Sequence, residues 1–182
     1  MVRIIMYGCN GKMGQTITGL VSENPEAEIV AGVDITGEQK NDYPVFKSLS
    51  ECNVEADVLI DFSSPKALSD VLTNCLKRKL PAVMCTTGYS EEEISKIKEA
   101  SKEIAVLRSA NMSLGVNLLM KLVAEAAKVL AAADFDAEIV EKHHNQKVDA
   151  PSGTALALAD AVNEALNNEY SYIYDRSGVR KK

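Results

Sequence analysis

Val2-Arg3-Ile4-Ile5-Met6-Tyr7-Gly8-Cys9-Asn10-Gly11-Lys12-Met13-Gly14, residues 2–14, is the stretch on which the fold turns. Its first six residues form a compact apolar run, Arg3 apart, which reads as a buried strand. The run stops at Gly8, the first of three glycines in a GxxGxxG arrangement. Apolar residues then recur at 13, 17, 20 and 21, the stripe of a helix. A helix that opens at such a turn points free N–H groups and a partial positive charge into it. Glycines there let the backbone approach an anion closely, so the spacing predicts a phosphate-binding loop. The plain alternative is a tight structural turn.

Working outward, Glu28–Val33 reads as a second strand, closed by Asp34 twenty residues after Gly14. That interval places a carboxylate on the ribose hydroxyls of a dinucleotide whose pyrophosphate lies on the glycine loop. Gly8, Cys9, Asn10, Gly11, Lys12, Met13, Gly14 and Asp34 are therefore the expected nucleotide-binding residues. Asp34 repels a 2′-phosphate and Ile35 follows it rather than an arginine, which favours NADH. Lys12 and Lys40 lie within reach of a 2′-phosphate, so tolerance for NADPH is expected.

Further strands are expected at Val58–Ile60, Ala82–Cys85 and Ile104–Leu107. Between them, Ser63-Ser64-Pro65 opens a helix to about residue 79, and Ser90-Glu91-Glu92-Glu93 has capping-box spacing for another to about 101. This alternation predicts an α/β fold, a Rossmann-type parallel sheet with helices on both faces. Cys85, Thr86 and Thr87 follow the fourth strand, and Ser109, Ala110, Asn111 and Met112 the fifth. At the C-terminal ends of parallel strands they suit a nicotinamide carboxamide, although each loop alone reads more readily as turn chemistry.

Composition narrows the class. The 182 residues carry a formal net charge of −6, with 46% hydrophobic and 25% charged side chains, the proportions of an ordinary globular protein. Net acidity argues against nucleic-acid or polybasic membrane partners. Met1–Tyr7 does not resemble a signal peptide and no apolar run approaches a membrane span, so a cytoplasmic protein is expected. The four cysteines at 9, 52, 75 and 85 form no close pair, which predicts reduced thiols and no zinc site.

The texture changes at Ser113, which sets expected domains at 1–112 and 113–182. Leu114–Leu130 reads as one long amphipathic helix, Asp136–His143 as a sixth strand outside the first sheet, and Ala155–Leu166 as a last helix. The strand lacks a local partner unless Tyr170–Tyr174 supplies one. Lys142, His143, His144 and Lys147 form a basic cluster, and Pro151-Ser152-Gly153-Thr154 opens a helix whose amides and hydroxyls suit a second anion. Adjacent histidines on an extended segment point to opposite sides, so no metal is expected on them. A proton donor beside a carboxylate clamp and a hydride donor is what reducing an unsaturated acid requires.

EKHHNQKVDAPSGTA, residues 141–155, resembles the E-x-H-H-x-x-K-x-D-x-P-S-G-T-A signature of the dihydrodipicolinate (4-hydroxy-tetrahydrodipicolinate) reductases. GCNGKMG at 8–14, DFSSP at 61–65, TTG at 86–88 and ANMSLGVN at 110–117 resemble that family's other blocks in the same order. The resemblance implies an NAD(P)H-dependent oxidoreductase of lysine and diaminopimelate biosynthesis, usually a homotetramer, acting on a small cyclic dicarboxylate. It implies that His143 is the acid/base residue and that Lys147 donates a proton and contacts substrate. His144, Ser152, Gly153 and Thr154 would bind the substrate carboxylates, while Cys85–Thr87 and Ser109–Met112 surround the nicotinamide. Cys85 departs from the family's usual glycine, and Ile35 from an arginine that favours NADPH in some members. The resemblance also implies further strands beyond Lys182, so the second domain is expected to be a partial α+β substrate and oligomerisation domain of a truncated form. Two other readings stand beside it: a sugar-type dehydrogenase sharing the early half, and an inactive fragment or sensor that binds dinucleotide without turnover.

Overall fold

The computed structural model describes residues 1–109, 111–147 and 150–175. The chain forms two compact units, Met1–Ala110 and Asn111–Lys182.

In the first unit the strands are β1 (Val2–Tyr7), β2 (Ala27–Val33), β3 (Val45–Phe46), β4 (Val58–Asp61), β5 (Ala82–Met84) and β6 (Val106–Arg108). They pair in parallel in the order β3-β2-β1-β4-β5-β6. The order reverses between β1 and β4, the switch point at which open α/β sheets bind ligands beyond the carboxyl ends of their strands. Helices α1 (Lys12–Ser22), α2 (Leu68–Arg78) and α3 (Glu91–Ala100) make the crossovers.

The pleat explains the helices on both faces. Ile5 and Tyr7 join Val33, Leu59 and Met84 in a core with Val71, Leu72 and Cys75 of α2 and Ile97 of α3. Met6, between them in sequence, belongs to a second cluster with Cys9 and Tyr43, against which Ile17 of α1 packs. Alternate residues of a central strand feed opposite cores, so the strand reads as continuously apolar.

Several element ends differ from expectation by a residue or two, and one strand is new. The strand expected at Ile104–Leu107 begins at Val106, because the Ile104 amide still donates to Ala100 O (3.1 Å) and closes the end of α3. β3 went unforeseen; two residues after Pro44 carry no periodicity, and register with Gly32 and Val33 creates it.

The second unit holds α4 (Leu114–Ala131) and α5 (Gly153–Ala165), which pack on each other. The expected strand at Asp136–His143 is not formed, nor does Tyr170–Tyr174 pair with it. A strand exists through a hydrogen-bonded neighbour, and among the described residues none lies alongside. Among its described residues the regular elements of this domain are therefore the two helices, with no strand beside them. No helix among the described residues is long and apolar enough to cross a membrane.

Candidate functional site

The glycine loop is shaped by collisions that side chains would cause. Gly8 sits at φ +79°, and a Cβ there would lie 2.5 Å from the Phe62 carbonyl oxygen. A Cβ on Gly14 would collide with the carbonyl oxygens of Gly8 and Cys9. The Gly11 amide donates to Gly8 O at 3.1 Å, which closes the turn. Gly11 then caps α1 with no side-chain hydrogen bond, whereas Ser90, Ser113 and Ser152 each cap their own helix with a hydroxyl. The first amides of α1, from exposed Lys12 and Met13, are thus left without a side-chain cap, at a bare backbone where a diphosphate fits.

Asp34, half-buried at the end of β2, meets this loop. Its carboxylate accepts from the Asn10 amide (3.2 Å) and from the Thr36 amide (3.1 Å) and hydroxyl (2.9 Å). The Asn10 side chain donates to Thr36 Oγ1 (3.0 Å) and Glu38 O (2.8 Å), so Asn10 braces the Asp34 turn. Cys9 is turned into the core, where a Cβ on Gly32 would lie 2.6 Å from its sulfur. Burial, with the nearby Asp34 charge, pushes its thiol up to about 11. It therefore offers a ligand its backbone and no thiolate. Lys40 pairs with Glu38 at 3.5 Å.

Beside them, at the ends of β4 and β5, sits a buried carboxylate. Asp61 is 1% exposed and accepts from the Ser63 amide (3.1 Å), the Ser63 hydroxyl (2.5 Å) and the Tyr89 hydroxyl (3.2 Å). The Ser63 amide also donates to Thr86 Oγ1 at 2.9 Å. Asp61 thus fastens the loop at 62–64 to the loop at 85–89. Thr86 is consequently buried and Thr87 exposed, while burial, then Asp61, raises the Cys85 thiol to about 11. The Ser109 amide donates to Met84 O at 3.1 Å. Ala110 lies outside the described residues.

The second unit assembles the histidine segment on α5. Glu141 takes both ends of the arrangement. Its Oε2 lies 2.8 Å from His143 Nε2, and its Oε1 accepts from the Ser152 amide at 2.9 Å. These bonds, that of His143 foremost, hold the Glu141 carboxyl down to about 2. His144 Nδ1 accepts from the Gln146 amide (3.2 Å), so the neutral ring carries its proton on Nε2, a donor suited to a carboxylate. The Lys147 amide donates to His144 O (3.2 Å). Val148 and Asp149 lie outside the described residues.

Ser152 is buried and its Oγ accepts from the Ala155 amide at 3.1 Å. With its own amide given to Glu141, Ser152 builds the helix start. Gly153 and Thr154 supply the first-turn amides, which have no intrahelical acceptor. Asn111 Nδ2 donates to Thr154 Oγ1 at 3.2 Å, and Asn111 Oδ1 accepts from the Ser113 amide at 2.8 Å. Asn111, expected at the nicotinamide, is thereby joined to Thr154, expected at the substrate; Met112 beside it is exposed.

Sequence reasoning gave no role to Glu141 or Asp61. For Glu141 a signal existed: residues 141 and 143 alternate onto one side of an extended segment. For Asp61 the signal was a carboxylate ending an apolar strand and followed two residues later by a serine.

Comparison with known proteins identifies the family of the chain. The family model described as "Dihydrodipicolinate reductase, N-terminus" matches residues 2–112, and its C-terminus counterpart matches residues 115–181. A 4-hydroxy-tetrahydrodipicolinate reductase of Caldanaerobacter subterraneus subsp. tengcongensis is 56% identical over 97% of this chain and 69% of its own length. One from Clostridium tetani is 50% identical over 100% of this chain and 71% of its own. The dipicolinate-bound dihydrodipicolinate reductase of Paenisporosarcina sp. TG-14 superposes with a TM-score of 0.73 at 30% identity, covering 96% of this chain and 70% of that one. Two family models that together take in nearly every residue, with relatives at half identity or better, place this chain in the dihydrodipicolinate reductase family.

Proposed function

We propose that the chain catalyses the NAD(P)H-dependent reduction of 4-hydroxy-tetrahydrodipicolinate, or its dehydrated form dihydrodipicolinate, to tetrahydrodipicolinate. The observation that carries this reading is the Glu141 carboxylate, which fastens His143 to the N-cap residue of α5 and so sets a proton-carrying ring beside a helix start suited to an anion. Bound on Gly8–Gly14 with Asp34 at its ribose, the dinucleotide supplies a hydride. Everything else belongs to the polypeptide itself. The amides of Gly153 and Thr154, with the His144 Nε2–H and the Lys147 ammonium, hold the two carboxylates of the substrate, and Ser152 supports that cradle from beneath. His143 and Lys147 deliver the proton that completes reduction. Cys85–Thr87 and Ser109–Met112 line the nicotinamide end, and Asp61 keeps the first of those loops in place.

NADH is the preferred reductant in this reading. Asp34 repels a 2′-phosphate, and the Lys40 ammonium is paired with Glu38. The second unit serves as substrate-binding and catalytic domain. The protein is cytoplasmic and assembles as a homo-oligomer, the homotetramer of its family; Leu114, Leu118 and Leu122 on α4, each more than half exposed, support an apolar contact there.

The test is NADH oxidation dependent on dihydrodipicolinate. His143→Ala and Lys147→Ala should each lower turnover by roughly 10²–10⁴, the usual worth of a positioned proton donor. Unchanged turnover in both variants removes the assignment.

A further inference from the structure

We propose that Glu141 is a positioning residue that selects the tautomer of His143, making Nδ1 the ring nitrogen that exchanges a proton with the substrate. The proposal rests on the reading of His143 as proton donor. An ionised carboxylate has no hydrogen to give, so each of its two partners must be a donor. One is the Ser152 amide at Oε1 (2.9 Å), a donor by constitution. The other is His143 Nε2 at Oε2 (2.8 Å), which must therefore carry its hydrogen. Neutral imidazole has a single N–H; with that on Nε2, Nδ1 keeps a lone pair.

The consequence for proton transfer is specific. The charged ring holds one hydrogen on each nitrogen, Nε2–H remaining on Glu141. When the ring acts as an acid, the Nδ1–H bond breaks, its electron pair stays on Nδ1, and the proton bonds to the electron pair left on the substrate by hydride addition. The ring returns to the neutral Nε2–H form with its bond to Glu141 intact, and Nδ1 is reprotonated from water. His144 is set the opposite way round, its Nδ1 occupied by the Gln146 amide at 3.2 Å, so the two neighbouring rings present different atoms. His143 is suited to proton exchange and His144 to static donation.

Glu141→Gln separates the roles, because an amide accepts at one end and donates at the other. The Ser152 amide can be met only by the amide oxygen. The NH₂ group then faces His143 Nε2 and calls for a lone pair there, which moves the hydrogen to Nδ1. The experiment is a two-bond proton–nitrogen correlation spectrum of histidine-labelled full chain, at a pH where the rings are neutral, with His143 assigned by its absence in His143→Ala. The expected result is Nε2–H in the native protein and Nδ1–H in Glu141→Gln. The variant's kcat should fall on the order of 10²-fold with KM for NADH unchanged.

An Nδ1–H tautomer in the native protein overturns the proposal without recourse to any variant. Unchanged tautomer and kcat in Glu141→Gln overturn it as well. If His143→Ala itself turns over normally, the proton-donor reading falls and takes this inference with it. If His143→Ala is impaired while Glu141→Gln is not, the inference alone falls.

Discussion

Gly14 and Gly19 lie five residues apart in α1 and carry opposite expectations. A Cβ at Gly14 would strike the carbonyl oxygens of Gly8 and Cys9, backbone atoms that cannot swing aside. Gly14→Ala should cost about 1–3 kcal/mol of stability, the usual penalty of overpacking. It should also weaken NADH binding at least about tenfold by deforming the loop, as calorimetric titration would show. At Gly19 a Cβ meets nothing within 4 Å, so Gly19→Ala should raise stability by about 0.5–1 kcal/mol in thermal unfolding. Asp34→Ala removes the charge that repels a 2′-phosphate, and should raise kcat/KM for NADPH relative to NADH. The glycines and Asp34 were legible from spacing alone. Glu141 was legible only in part: alternation sets it beside His143, but its bond to the Ser152 amide eleven residues away has no local signal. Ser152 shows the same limit: its residue type suits an anion site, yet its amide and Oγ serve Glu141 and the Ala155 amide.

At the scale of elements, local chemistry was the most readable signal. The Ser90–Glu93 capping box forms as its spacing predicts, with the Ser90 amide donating to Glu93 Oε2 at 2.7 Å and the Glu93 amide to Ser90 Oγ at 3.3 Å. Ser90→Ala should lower stability by about 1 kcal/mol in denaturant unfolding with the slope unchanged, because the cap lies far from the nucleotide loop in sequence and serves α3 alone. Strands were less readable than helices. β1 announced itself by six nearly continuous apolar residues, whereas β3 exists only through its neighbour β2. Asp136–His143 shows the converse, an alternating pattern that suits a strand and forms none in the described chain. Alternation records which side chains share a face; pairing requires a second strand.

For the molecule as a whole, the order of parallel strands, β3-β2-β1-β4-β5-β6, belongs to a sheet with a core on each face. It gathers the loops after β1, β4 and β5 at one end of the sheet, where Gly8 abuts Phe62 and Ser63 binds Thr86. The parallel α/β class was legible in the alternation of elements. In the second unit both helices were legible in the sequence, whereas the segment at 141–152 gives no periodicity from which to build its surroundings. The central claim is that a dinucleotide occupies the glycine loop and a dicarboxylate the start of α5. A crystal structure of the protein with NADH and dipicolinate together tests it most directly. The account predicts the diphosphate on the amides that open α1, the adenosine ribose on Asp34, and the dicarboxylate on Gly153, Thr154 and Lys147. A nucleotide ordered away from Gly8–Gly14, or a dipicolinate that makes no contact with α5, would contradict it.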